Sequence, residues 1–211
     1  MCTSPQVVYV APDLVEAFGA ALVAQIDAIA DDPAMAAGIM GAIQGEVSLK
    51  AVADVREAVE QRPGARVLRE AAPYPHPQFP QARTLTPLVL AIDGSAPDLY
   101  AEEHFGPVLF VVTMEAGAAV AEATHLARTK GSISSYLYST DEGFIDRSTP
   151  LYEQAGANLT INLTGAMWIN FAAAYSDYHV SGLNPAGNAC LADLAFVASR
   201  FRIVQRRRPS E

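Results

Sequence analysis

Glu102-Glu103-His104-Phe105-Gly106-Pro107-Val108-Leu109-Phe110-Val111-Val112 carries the run that decides the fold. From Pro107 to Val112 every position is apolar, which suits a β-strand covered on both faces. Downstream, Ala119, Ala123, Leu126 and Ala127 recur at helical spacing and predict a helix over about 115–129. Ile133 to Tyr138 follows as a strand, then a helix over 141–156, then Ala157 to Asn162 as a strand. Upstream, Thr86 to Ile92 reads as a strand closed by an Asp93-Gly94 turn. Strands alternating with helices imply right-handed parallel crossovers, hence an α/β architecture.

Further from that run, Ala65-Arg66-Val67-Leu68-Arg69 alternates like a short strand. Pro73, Pro75, Pro77 and Pro80 then enforce an extended loop without ladder donors; it reads as a surface loop ahead of a proline-recognition ligand. A helix is expected at about 47–61, with Val52, Val55 and Val59 on its buried side and Pro63-Gly64 stopping it. The small Ala/Gly/Met stretch 34–45 reads as a tight-packing connection. Leu14, Val15, Phe18, Leu22, Ile26 and Ile29 mark a helix from about 12 to 30, with Pro12, Asp13 and Glu16 at the positive end of its dipole. Val7 to Val10 is a short apolar run before it. Beyond Asn170 the periodicity fades until Leu191, Leu194, Phe196 and Val197 hint at a short helix. Phe201 to Val204 reads as a terminal strand, either at a sheet edge or as an arm added to a neighbouring subunit's sheet.

The chain has 211 residues, is 51% hydrophobic and carries a formal net charge of -9, enough apolar material for one good-sized core and too acidic for phosphate-backbone binding. The Arg206-Arg207-Arg208 run is too short to change that. No apolar stretch is long enough to span a membrane, and no signal-peptide pattern opens the sequence, so no membrane or nucleic-acid partner is expected. The two cysteines, Cys2 and Cys190, lie nearly the whole chain apart and fit a reducing, cytoplasmic setting. No metal site is expected.

Three groups of residues are candidates for chemistry, each with a plainer reading beside it. Cys2 sits in a polar, small-residue segment where a thiol can be exposed and reactive; alone, it is an incidental residue on a frayed end. Glu102 and Glu103 have the composition of an acid/base pair, but adjacent carboxylates diverge on any regular element, and the plainer reading is a polar helix end leading into the strand at 107. Met167, Trp168 and Phe171 are the type of residue that lines an apolar tunnel; the plainer and favoured reading is packing in the core.

Glu-Glu-His-Phe-Gly-Pro over 102–107 resembles the Glu-Glu-x-Phe-Gly-Pro signature of aldehyde dehydrogenases, and Cys2-Thr3-Ser4-Pro5-Gln6 before Val8-Tyr9-Val10 resembles the segment in which that family's catalytic cysteine precedes a short strand. Thr86 to Leu90, Ala155 through Asn162, and Ser181-Gly182 extend the likeness, although His179-Val180 stands where a Lys-Gln type pair is usual and Leu183 to Asn188 replaces the ordinary Gly/Arg/Glu continuation. Met1 to Gln6, His104 in the signature, His179 to Gly182 and Leu194 to Arg202 are similar to the phenylacetic acid degradation (PaaN-type) members.

The resemblance implies the three-layer catalytic domain of that fold, with a mostly parallel sheet, over residues 1–198, and an oligomerisation strand or tail over 199–211. It implies NAD or NADP as cofactor, Cys2 as the nucleophile, Glu103 accepting hydrogen bonds from the nicotinamide ribose, Phe105 flanking the nicotinamide, and Trp168 and Phe171 lining an aldehyde tunnel. His104 falls at a variable position and receives no role. In the family an asparagine oxyanion donor, a glutamate base and the Gly-rich cofactor turn precede the cysteine. None is in this chain, nor is a G-x-G-x-x-G motif, so the N-terminal dinucleotide-binding half is expected to be absent and the isolated chain to turn over little or nothing. Two functions stand against each other: an aldehyde oxidation linked to phenylacetate catabolism by a homo-oligomer, and a non-catalytic fragment that acts only as a structural or oligomerisation module.

Overall fold

The computed structural model describes residues 5–132, 134–157, 159–164 and 204–206. The chain divides into two compact units, one spanning Pro5–Ala119 and a second beginning at Val120.

The first unit is built on a four-stranded sheet of β1 (Val7–Val10), β2 (Arg66–Arg69), β3 (Leu88–Asp93) and β4 (Val108–Thr113), in the order β1-β4-β3-β2. β4 runs parallel to both neighbours, with Val7 opposite Phe110 on one side and Leu88 opposite Val108 on the other. β2 is antiparallel to β3 and slips register between Val67 and Arg69, a bulge suited to a sheet edge. The wholly apolar run is thus an interior strand, and Val108, Phe110, Val111 and Val112 are buried. Val10, Val89 and Val111 form a buried cluster with Ile26 of helix α1 (Val15–Ala30), joined by Val8, Val15, Leu22, Met40 and Leu68. By the strand alternation, Leu88, Leu90, Ile92, Val108, Phe110 and Val112 point to the other face. Helix α3 (Glu46–Glu60), with Val52, Val55 and Val59 buried, contacts β2, β3 and the short α4 (Pro97–Tyr100).

Two expectations change. The helix foreseen from residue 12 begins at Val15, because Ala11 to Leu14 close a turn in which the Leu14 N–H donates to the Ala11 carbonyl at 2.9 Å. The stretch read as a connection over 34–45 contains a helix, α2 (Pro33–Ile39). Asp32 caps it, accepting from the N–H groups of Ala34 at 2.9 Å and Met35 at 3.1 Å, with Pro33 preset for the first turn.

The proline-rich segment between β2 and β3 is fixed by threonines. Thr84 is buried and bonds both the N–H and the carbonyl of Tyr74, while Thr86 Oγ1 accepts from the Ala72 N–H at 3.0 Å and from Arg69 at 2.6 Å. Arg69 also reaches Asp27 of α1 at 2.7 Å, tying loop, helix and edge strand together.

The second unit has a parallel sheet of β5 (Ser135–Leu137), β6 (Leu159–Ile161) and β7 (Val204–Arg206), in that order. Val120 and Ala127 of α5 (Ala116–Thr129), Ile145 and Tyr152 of α6 (Glu142–Ala155), and Leu137, Ala157, Leu159 and Ile161 form its core. Asp141 caps α6 by accepting from the Phe144 N–H, and Gly156, at φ 72°, ends it in the left-handed conformation that glycine adopts without strain. β7 shares only Val204 with the terminal strand expected over Phe201 to Val204, whose other residues lie outside the described ones; it pairs with β6 of its own chain and forms one edge of this sheet among the described residues, and Arg206 bridges to Glu142 and Asp146 of α6. Across the ladder, Asn162 Oδ1 accepts from the Ser139 N–H at 3.0 Å and its Nδ2 donates to the Ser139 carbonyl at 2.9 Å, clamping the loop that follows β5.

Candidate functional site: an anchored signature loop

Residues 101–107 join α4 to β4, and each end of the segment is fixed by packing. At the start, Tyr100 is buried, its ring meeting Tyr9 edge-on at 6.0 Å, and Arg62, just past α3, pairs with Asp98 in α4. At the far end, Gly106 lies so close to α3 that a Cβ there would come within 2.6 Å of a Val52 methyl and 3.2 Å of the Ser48 carbonyl oxygen. A glycine is required by proximity rather than by dihedral freedom. The Leu88 N–H donates to the Pro107 carbonyl at 2.8 Å, which hands the loop over to the β3–β4 ladder.

The middle of the loop is held by a residue nearly a hundred positions earlier. Gln6 Oε1 accepts from the His104 N–H at 3.0 Å, and Gln6 Nε2 donates to the His104 carbonyl. The backbone carbonyl of Gln6 accepts from the Phe110 N–H at 2.8 Å, so Gln6 is itself locked to β4. The His104 imidazole lies inward, with Nε2 2.8 Å from the Leu99 carbonyl and the ring 5.5 Å from that of Phe110. His104, which falls at a variable position of the signature, is the part-buried foot of the loop.

On either side of that foot, Glu103 is exposed and Phe105 is 74% exposed. The two candidate cofactor residues therefore share one loop, and neither is used up in the core. Glu102 is exposed as well, so exposure alone does not separate the adjacent carboxylates. An open carboxylate and an open aromatic ring on a fixed backbone fit a ligand carrying hydroxyl groups and a flat ring: the carboxylate accepts hydrogen bonds, and the ring gives an apolar face. Cys2, Trp168 and Phe171 lie outside the described residues, as do Ser181, Gly182 and the segment 191–197. The sequence-based reading missed Gln6. It was quoted only as the last residue of the segment that follows Cys2, and only the pairing of β1 with β4 shows what its side chain faces.

Among the described residues no group of three or more His, Cys, Asp or Glu side chains is arranged to hold a metal ion, and no helix is long and apolar enough to cross a membrane.

The profile described as "Aldehyde dehydrogenase family" matches residues 1–178. The NAD-dependent aldehyde dehydrogenase from Burkholderia multivorans is similar to the chain with a TM-score of 0.76 and 36% identity, over 96% of this chain and 37% of that one. The NAD-dependent benzaldehyde dehydrogenase from Corynebacterium glutamicum gives a TM-score of 0.54 at 24% identity, over 77% of this chain and 33% of that one. Lactaldehyde dehydrogenase from Escherichia coli gives 0.55 at 22%, over 78% and 34%. At the latter two identities the likeness shows the fold alone. The chain spans about a third of the length of these solved relatives, and comparison with curated proteins gives no match. The profile match over most of the chain, with the mixed α/β fold and its mostly parallel sheets, shows that the chain belongs to the aldehyde dehydrogenase family.

Proposed function

We propose that this chain is the cysteine-bearing portion of an NAD- or NADP-dependent enzyme that oxidises an aldehyde to a carboxylic acid. The observation that carries the reading is the signature loop: Glu103 and Phe105 stand exposed on a backbone fixed by Gln6 and Gly106, in a chain that belongs to the family. The name of the Burkholderia multivorans relative favours NAD.

In this reading the Cys2 thiolate attacks the aldehyde carbon and gives a thiohemiacetal alkoxide. The backbone N–H of Cys2 donates to that oxygen, and a donor so oriented contributes about 3 kcal/mol to the transition state. Glu103 accepts hydrogen bonds from the nicotinamide ribose, and Phe105 flanks the nicotinamide. The bound cofactor supplies the hydride acceptor. Loss of hydride leaves a thioester on Cys2, and water cleaves it to the acid and the free thiol.

The side-chain oxyanion donor, the general base and the Gly-rich turn belong, in this proposal, to sequence outside these residues. That agrees with the 37% share of the Burkholderia multivorans enzyme that the chain covers. Residues 1–198 form the catalytic part and 199–211 an oligomerisation strand of a cytoplasmic homo-oligomer, with Trp168 and Phe171 lining the aldehyde tunnel. Phenylacetate catabolism is the proposed setting, on the similarity of Met1 to Gln6, His104 and Leu194 to Arg202 to the PaaN-type members. The test is NAD(P)H formation from aldehydes, aromatic-ring-derived ones included, by the full-length protein containing this chain: the reading expects turnover that Cys2→Ala abolishes, and turnover surviving that substitution overturns it.

A further inference from the structure

We propose that Gln6 is a positioning residue for cofactor binding, acting through the backbone of His104 to aim Glu103 and Phe105. The inference rests on the oxidation reading above and extends it to a residue outside the signature.

Glu103 and Phe105 are both exposed, so little packing of their own fixes them. Their direction depends on the dihedrals of the residue between them. Both polar backbone groups of that residue are engaged by one side chain: the His104 N–H donates to Gln6 Oε1 at 3.0 Å, and the His104 carbonyl accepts from Gln6 Nε2. The same carbonyl accepts from the Gly106 N–H at 2.9 Å, which folds the chain tightly just after Phe105.

The chemistry of this clasp is selective. A carboxamide presents an acceptor oxygen and an NH2 donor in one plane, and so bridges the N–H and C=O of a single residue. A carboxylate of the same length keeps the first bond and sets an oxygen against the His104 carbonyl. A thioether of similar length loses both bonds. Asparagine keeps both groups on a side chain one methylene shorter. Gln6 can act as a fixed post because its own carbonyl is bonded to the Phe110 N–H at 2.8 Å, and Phe110 is fully buried in the central strand. The clasp therefore refers the loop to the buried interior strand of its unit, across a sequence separation of 98 residues.

The experiment uses the full-length protein containing this chain, with Gln6→Met and Gln6→Glu. Steady-state kinetics are measured separately in NAD(P)+ and in aldehyde, beside thermal unfolding. Loss of a bond of ordinary strength corresponds to about a fivefold change in an equilibrium, and Gln6→Met loses two, so it is expected to raise KM for the cofactor about tenfold or more with the aldehyde KM unchanged. Gln6→Glu, which keeps the His104 N–H bond and close to native size but faces the His104 carbonyl with an oxygen, is also expected to raise the cofactor KM with the aldehyde KM unchanged, and it carries the test where Gln6→Met fails to fold. An unchanged cofactor KM in a folded variant overturns the proposal, as does a uniform loss of activity that tracks the fall in melting temperature. Absence of aldehyde oxidation in the wild type overturns the oxidation reading instead, and the aiming role with it.

Discussion

A methyl group added at Gly106 has nowhere to go. Its Cβ would sit 2.6 Å from Val52 Cγ2 and 3.2 Å from the Ser48 carbonyl oxygen, whereas carbon atoms in contact settle about 3.5–4.0 Å apart. The overlap with Val52 is therefore about 1 Å, and Val52 is poorly placed to yield: it is 4% exposed, and a valine on a helix is held to one side-chain rotamer. Ser48 offers backbone, which moves only with α3. Gly106→Ala should thus cost about 1–3 kcal/mol, the usual range for overpacking, and the loop that lifts to relieve it carries Phe105 and Glu103 with it. The decisive assay is a double-mutant cycle read by chemical denaturation. Val52→Ala alone removes two buried methyl-sized groups and costs about 2 kcal/mol. In combination it opens the space that the Gly106→Ala methyl needs, so the double variant should be more stable than the sum of the two losses by about 1 kcal/mol or more. Strict additivity would refute the reasoning, because it would mean that the two groups do not meet.

The clamp at the end of β6 predicts an order of stabilities. Asn162 has a φ of 54° and bonds both backbone groups of Ser139, so Asn162→Ala should cost about 2 kcal/mol for the lost bonds and the strain. Asn162→Gly loses the same bonds without the strain and should fall about 1 kcal/mol short of that cost in denaturant titrations. Burial pushes the Tyr152 hydroxyl up to about 12. Its phenol stays neutral in the fold between pH 10 and 12 while the unfolded chain ionises; the unfolded state then binds fewer protons, and stability falls as pH rises across that window, by up to about 3 kcal/mol. Tyr152→Phe should flatten that part of the stability–pH curve, and an unchanged slope would contradict the assignment.

Much of this architecture was legible because local pattern and burial agree. The run 107–112 has no polar position to orient, and only a strand flanked on both sides satisfies it, as β4 is. Val52, Val55 and Val59 pointed to one helix face and are buried together on α3. The α2 helix was obscured by its Ala/Gly/Met composition, although Asp32-Pro33 carried a local start signal that outweighed it. Glu103 and Phe105 were singled out through their neighbours in the signature. The Gln6 clasp was illegible for another reason: it joins residues 98 apart, and that partnership exists only after β1 and β4 pair.

The claim on which the rest depends is that Cys2 forms the covalent link to substrate, and direct detection of that link is the sharpest test. The full-length protein containing this chain is quenched during turnover of an aldehyde with NAD(P)+, and its peptides are weighed by mass spectrometry. The account predicts an acyl mass on the peptide bearing Cys2 and an unmodified Cys190. Acyl on any other residue, or none while the acid accumulates, contradicts it.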